Sequence, residues 1–223
     1  MPTPIVIKKD TSPLVFSEDV EKRIAASWQA LQSKDPRVFN GTLLRVLNSA
    51  DHDMASVVVA PDIGYREVVG VRSHKDFLDW VPAGEQFQVL SAIAFVETAD
   101  GIKLLRERNS GDWEHSMELS GGFITAKDAP DTVDEYIRHR TADDLSVALD
   151  AVTSVERIGY MDYKSICEGM FVFKITLAIS FNDLPQALFP FSAIPQGYTP
   201  AQHASFFSLP LHAPSQAVIE RFL

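Results

Sequence analysis

Residues 119–128 read LSGGFITAKD, an apolar run that meets the pair Gly121-Gly122 and then passes toward a stretch rich in acids. Two adjacent glycines permit positive φ and a close approach of the backbone to its neighbours. An ordinary turn needs no more than that. The acids downstream, Asp128 and then Asp143-Asp144, raise a sharper alternative, a loop and helix that hold a divalent cation and a diphosphate. Taken alone, an Asp-Asp pair on a helix is most often a solvated face. The surroundings of the glycines have to decide.

Upstream, VLSAIAFVE (89–97) reads as a buried strand, Asp100-Gly101 as a hairpin turn, and residues 102–108 as the returning strand. Downstream, a loop runs to about Pro130, and DTVDEYIRHRTADDLSVAL (131–149) follows as a helix with Val133, Ile137, Leu145 and Leu149 on its apolar side. SVERIGYMD (154–162) and GMFVFKITLAIS (169–180) continue as strands, the second long enough to cross the centre of a sheet. The Pro-rich stretch LPQALFPFSAIPQGYTP (184–200) is irregular, and SQAVIERFL (215–223) is a helix started by Ser215.

Nearer the N-terminus, SEDVEKRIAASWQALQSK (17–34) is a helix capped by Ser17, with Val20, Ile24, Trp28 and Leu31 on one face. TLLRVLN (42–48), MASVVVA (54–60) and YREVVGV (65–71) read as three antiparallel strands separated by the polar turns NSADHD and PDIG. SHKDFLDWV (73–81) is a short helix capped by Ser73. Pro82-Ala83-Gly84 marks a boundary between an N-terminal helix plus strand-rich lobe, residues 1–85, and a second domain, residues 86–223.

Composition bounds the function. The chain has 223 residues, 46% of them hydrophobic and 22% charged, enough for one substantial core with an appended lobe. Its net charge of −10 repels a phosphate backbone, which argues against nucleic-acid polymers as partners. The single cysteine, Cys167, allows neither an internal disulfide nor a thiolate cluster. No run reaches about 18 apolar residues, so no membrane span is expected, and the reading is a cytoplasmic protein. Phe189, Phe191, Phe206 and Phe207 suit core packing or a homodimer contact better than a pocket wall.

The order of the central segment resembles the Nudix hydrolase family. Leu104-Leu105, Arg106 or Arg108, Trp113 and Gly121-Gly122 stand as in that family's strand and loop, with Ser120 in place of the usual proline. The family box, G-x5-E-x7-R-E-U-x-E-E-x-G-U with U bulky and apolar, lies over this chain imperfectly. Five residues separate Gly122 from Asp128, where the box has Glu. HRTADDLSV (139–147) covers the helical part, with His139 for Arg, Arg140 for the first Glu, Asp143 and Asp144 for the later pair, and Ser146 for Gly. Phe39-Asn40-Gly41 and the segment from Gly70 to Leu78 are similar to elements of the branch related to UDP-glucose diphosphatases.

The resemblance implies an α/β fold, a mixed sheet sandwiched between helices with the N-terminal strand-rich lobe packed on it. It implies hydrolysis of a nucleoside diphosphate linked to another group, a nucleotide sugar by analogy, with Mg²⁺ or Mn²⁺ as cofactor and a small phosphorylated molecule as partner. Asp143, Asp144 and Asp128 become the metal ligands, Asp144 and Glu168 the catalytic carboxylates. Arg106, Arg108, Gly121, Gly122 and Arg140 become the substrate contacts. Arg140 points the other way, because an arginine repels a cation but can clamp a phosphate bidentately. It favours the rival reading of a Nudix-fold protein that binds a nucleotide-like ligand, or regulates, without turnover.

Overall fold

The most apolar stretch of the chain forms the centre of the sheet. The computed structural model describes residues 3–47, 55–74, 77–108, 115–127, 130–185 and 190–223. Trp113, Asp128, Phe189 and the whole of the NSADHD turn lie outside them. Strand β4 (Val89–Glu97) is buried at every position but Glu97 and pairs in parallel along its whole length with β9 (Glu168–Leu177). Such two-sided burial is why these strands read as continuous apolar runs rather than alternations. β8 (Val152–Tyr163) closes that side, antiparallel to β9.

The other edge of β4 is shared. β7 (Ser120–Phe123) pairs antiparallel with Ser91–Ala94, while β2 (Thr42–Val46) meets β4 where Arg45 faces Val89. β3 (Ser56–Gly64) and β1 (Val6–Lys9) extend the sheet beyond β2, in the order β1-β3-β2-β4-β9-β8 with β7 alongside β4. The fork is closed by one fully buried residue: the Ile124 N–H donates to Leu90 O (3.0 Å), and its carbonyl accepts from Leu44 N (3.2 Å). A second antiparallel sheet runs β10 (Phe191–Ala193), β5 (Leu104–Arg108), β6 (Ser116–Glu118).

Side chains alternate across a strand, and here the alternation sets the layers. Leu90, Ala92 and Ala94 pack with Val133, Ile137 and Leu145 of helix α4 (Val133–Leu145). Ile93 and Phe95 pack with Val218 and Ile219 of α6 (Ala213–Phe222), which follows the single-turn α5 (His203–Phe206). The mixed sheet therefore lies between helices, an α/β arrangement consistent with a Nudix-like fold. Helices α1 (Glu18–Lys34) and α2 (Tyr65–Arg72), with the short α3 (Phe77–Trp80), flank the N-terminal strands. The sheet runs across the composition boundary near residue 85 through the Arg45–Val89 register. No described helix is long and apolar enough to cross a membrane.

Several local expectations are corrected. YREVVGV is not a strand but α2, despite three β-branched valines, because tertiary contacts override intrinsic propensity. Glu67 accepts from Gly64 N (2.7 Å), Asn40 Oδ1 accepts from Arg66 N (2.8 Å), and a Cβ on Gly70 would stand 2.7 Å from the Ile24 Cα of α1. PDIG is not a turn but the end of β3, where Arg45 on β2 binds Asp62 through Nε (2.9 Å) and Nη2 (2.7 Å). Ser73 ends α2 instead of starting α3. Ser17 does not cap α1 with its hydroxyl, which donates to Glu85 Oε2 (3.1 Å). Ser215 sits inside α6, and its hydroxyl accepts from Leu119 N (3.0 Å). α4 stops at Leu145, leaving Leu149 outside its apolar face and exposed.

The glycine pair lies within β7 rather than in a turn. Gly121 has φ +125°, and a Cβ there would stand 2.2 Å from Ala92 O, so the residue presses its backbone onto β4. Gly121→Ala is expected to cost at least about 2 kcal/mol in urea unfolding, through strain and collision together. Gly101→Ala, at φ +79° with nothing within 4 Å, is expected to cost only about 1 kcal/mol. Equal losses in the two variants would mean that close approach to β4 is not what the first glycine provides.

Candidate functional site

Where β2 and β7 part from the shared edge of β4, the chain leaves a cavity of about 320 Å³. Gly41 and Leu43 border it on one side, Gly121, Gly122 and Phe123 on the other, with Glu168 at the start of β9. Its size falls at the lower end of pockets that hold small molecules. Of the residues expected from sequence to make a site, Arg106, Arg108, Gly121, Gly122, Arg140 and Glu168 all line this one cavity. Asp144 lies behind it, 3% exposed.

A buried ion cluster forms the cavity's inner wall. Arg106, 5% exposed, donates from Nη1 to Asp144 Oδ1 (2.7 Å) and places Nη2 2.6 Å from Glu118 Oε1 and 3.3 Å from Gly121 O. Asp144 Oδ2 accepts from the Ser120 hydroxyl (2.9 Å) and from Gly121 N (3.4 Å). Glu118 Oε2 accepts from Arg108 Nη1 (3.0 Å) and lies 3.7 Å from His212 Nδ1. Burial alone would push the Glu118 carboxyl up, but Arg106, Arg108 and His212 outweigh it and hold it below the usual carboxylate range.

Two further ion pairs reach the cavity. Glu168 pairs with Arg72 and accepts from the Ser91 hydroxyl (3.1 Å), while Arg72 Nε donates to Ile166 O (2.7 Å). The Arg72 guanidinium also stands 5.0 Å from the centre of the Phe123 ring. On the outer rim, Arg37 binds Asp35 through Nε (2.7 Å) and Nη2 (3.0 Å). Five arginines thus line the cavity against Asp35, Glu118 and Glu168, and cations still exceed anions by one when Asp144 is counted. In a chain of net charge −10, this is a local reversal of sign.

Consecutive helical residues point about 100° apart, and this separates the aspartate pair. Asp144 turns inward, whereas Asp143 is exposed and borders a different depression, with Glu135 and His139. Ser146 takes the left-handed conformation, φ 55°, at the helix end. Mg²⁺ and Mn²⁺ need several oxygen ligands converging on one point. Among the described residues no group of three or more His, Cys, Asp or Glu does so. Asp35, Glu118, Asp144 and Glu168 each hold an arginine instead. Arg140 Nε also stands 3.1 Å from Asp144 Oδ1, where an incoming cation would meet its charge. The expected metal set of Asp143 and Asp144 therefore does not fit a divalent cation, and Asp128 lies outside the described residues.

Sequence reasoning missed Arg72, Glu118, Tyr136 and His212. Glu118 carried a signal, a charged residue inside the otherwise uncharged run SMELSGGF. Arg72 carried none, falling between the strand read over 65–71 and the helix read over 73–81. Cys167 is a core thiol, with burial pushing it up to about 12. Of the aromatic cluster, Phe207 stacks on His203 with ring centres 4.9 Å apart, and neither it, Phe191 nor Phe206 lines the cavity.

No protein-family model and no curated protein matches this sequence. Solved structures similar to it include DR0079 from Deinococcus radiodurans, at 16% identity over 59% of this chain and 80% of that one, TM-score 0.42. The NUDIX domain of Shewanella oneidensis NrtR, in a cocrystal with ADP ribose, is 17% identical over 64% and 91%, TM-score 0.41. The MutT protein from Methanosarcina mazei Go1 is 17% identical over 60% and 91%, TM-score 0.41. Identities this low transfer no residue's role.

The ion cluster has a pH signature. A carboxylate whose folded pKa is depressed stabilises the fold above its unfolded value, about 4.3, and loses that contribution as pH falls through the folded value. Glu118→Gln is expected to lower stability near pH 7 by about 3 kcal/mol, leaving buried guanidinium charge unpaired. The gap from the parent should narrow below about pH 4. Urea unfolding at pH 7 and pH 3.5 measures it, and a gap that does not change would remove Glu118 from the account.

Proposed function

We propose that the chain binds a phosphorylated, nucleotide-like small molecule in the cavity between β2 and β7. One observation carries the reading: guanidinium groups and aromatic rings converge on a single cavity in an otherwise acidic protein. Arginines match phosphate oxygens in charge and geometry. Phe39, Tyr65, Phe123 and Tyr136 on the same walls offer flat apolar surface for a base. Phe39 is 78% exposed, its ring edge lying beside Gly41 at the cavity's mouth. A nucleotide sugar belongs to this class, with its diphosphate toward the arginines.

Glu168 supports a second reading, hydrolysis of the same class of molecule. It is a carboxylate on the cavity wall with a hydroxyl donor, Ser91, beside it, and it would take a proton from an attacking water. Its pairing with Arg72 competes with that role. The donor set described above supplies no metal-assisted route, so recognition without turnover is the better-supported function.

Thermal unfolding with ADP, UDP-glucose, adenosine and uridine separates these readings. At about a hundred times its Kd a ligand adds about 2.7 kcal/mol, an increase of roughly 5–10 °C for a chain of this length. The phosphorylated pair should give such a shift, and the uncharged nucleosides little or none. Equal shifts from nucleosides, or none from any compound, would refute recognition of phosphate here. Release of a monophosphate during incubation would favour the hydrolytic reading.

A further inference from the structure

We infer that Arg140 takes the ligand's phosphate directly, so that binding needs no divalent cation. The inference rests on the proposed binding of a phosphorylated molecule and says how its charge is met. The other arginines on the cavity already hydrogen-bond to protein: Arg37 to Asp35, Arg72 to Ile166 O, Arg106 to Asp144, Arg108 to Glu118. Arg140 differs. Its Nε lies 3.1 Å from Asp144 Oδ1 as an ion pair but is buried without a hydrogen bond. Among the described residues nothing accepts from the rest of its guanidinium. Its side chain is 40% exposed and opens on the cavity.

This geometry suits an anion and opposes a cation. Asp144, four residues further along α4, pins the inner edge of the Arg140 guanidinium while its outer donors stay available. A planar fork held in this way accepts a phosphate through two parallel hydrogen bonds, with little side-chain freedom left to lose. A metal ion would have to displace a guanidinium from Asp144, Glu118 or Glu168 and then stand beside Arg140. Neutralising adjacent phosphate oxygens is the task a divalent cation performs in diphosphate recognition. Here a fixed side-chain charge performs it. Magnesium in solution should then compete, since it lowers the charge of the nucleotide that Arg140 attracts.

Calorimetric titration of ADP and UDP-glucose, in EDTA and in Mg²⁺ at matched ionic strength, tests the inference. The parent protein is expected to bind at least as tightly in EDTA as in Mg²⁺. Arg140→Gln should weaken binding at least tenfold in EDTA with a circular dichroism spectrum like the parent's. Arg140→Glu should abolish binding in EDTA. Should its added charge beside Asp144 prevent folding, the glutamine variant decides alone. Binding that requires Mg²⁺, or an unweakened glutamine variant, overturns the inference and leaves the proposed recognition standing. Binding of neither compound under either condition overturns both.

Discussion

Arg106 is the interaction on which the site depends. Its guanidinium joins Asp144 on α4, Glu118 on β6 and the carbonyl of Gly121 on β7, while its own backbone belongs to β5. One charge thereby fixes the separations of a helix, both sheets and the glycine strand. A buried ion of this kind adds little over an apolar replacement of the whole cluster, but removing one member leaves the others uncompensated. The constraint is therefore geometric. With Asp144 and Glu118 both paired to Arg106, the guanidinium of Arg140 beyond its Nε is left facing the cavity.

The sequence made part of this legible. The 3.6-residue spacing of Val20, Ile24 and Trp28 marks the buried face of α1, and Val133, Ile137 and Leu145 mark that of α4. The long apolar runs mark β4 and β9 as central strands. What misled was local chemistry overruled from a distance. A valine-rich segment is helical because Asn40 and Glu67 satisfy its first turn and Gly70 admits α1. PDIG extends a strand because Arg45 across the sheet pairs with its aspartate. Asn40 and Arg45 lie 26 and 17 residues from the groups they bind, outside a window of ten.

The site was readable to about the same depth and for the same reason. Arg106, Arg108, the glycine pair, Arg140 and Glu168 could be named because the order of the segments resembles that of the Nudix family, and all of them line one cavity. What each carboxylate does could not be read, because it depends on which cation faces it. Asp143 and Asp144 are neighbours in sequence and opposites in space, one exposed and one 3% exposed. Glu118 and Arg72 gain meaning only when β6 and α2 are brought to the same wall. Spacing reports a residue's place in the fold; its charge partner comes from elsewhere in the chain.

The fork at Ile124 binds the fate of the two halves of the chain together. Its amide and carbonyl serve strands that come from opposite sides of residue 85, so neither side finishes its hydrogen bonding alone. Severing the chain there would strip β4 and β2 of neighbours and expose raw edges ready to recruit other molecules. Unfolding of either half should thus drag the other with it, as one cooperative event. Evolution could not easily trade one half for a foreign module without first healing that seam.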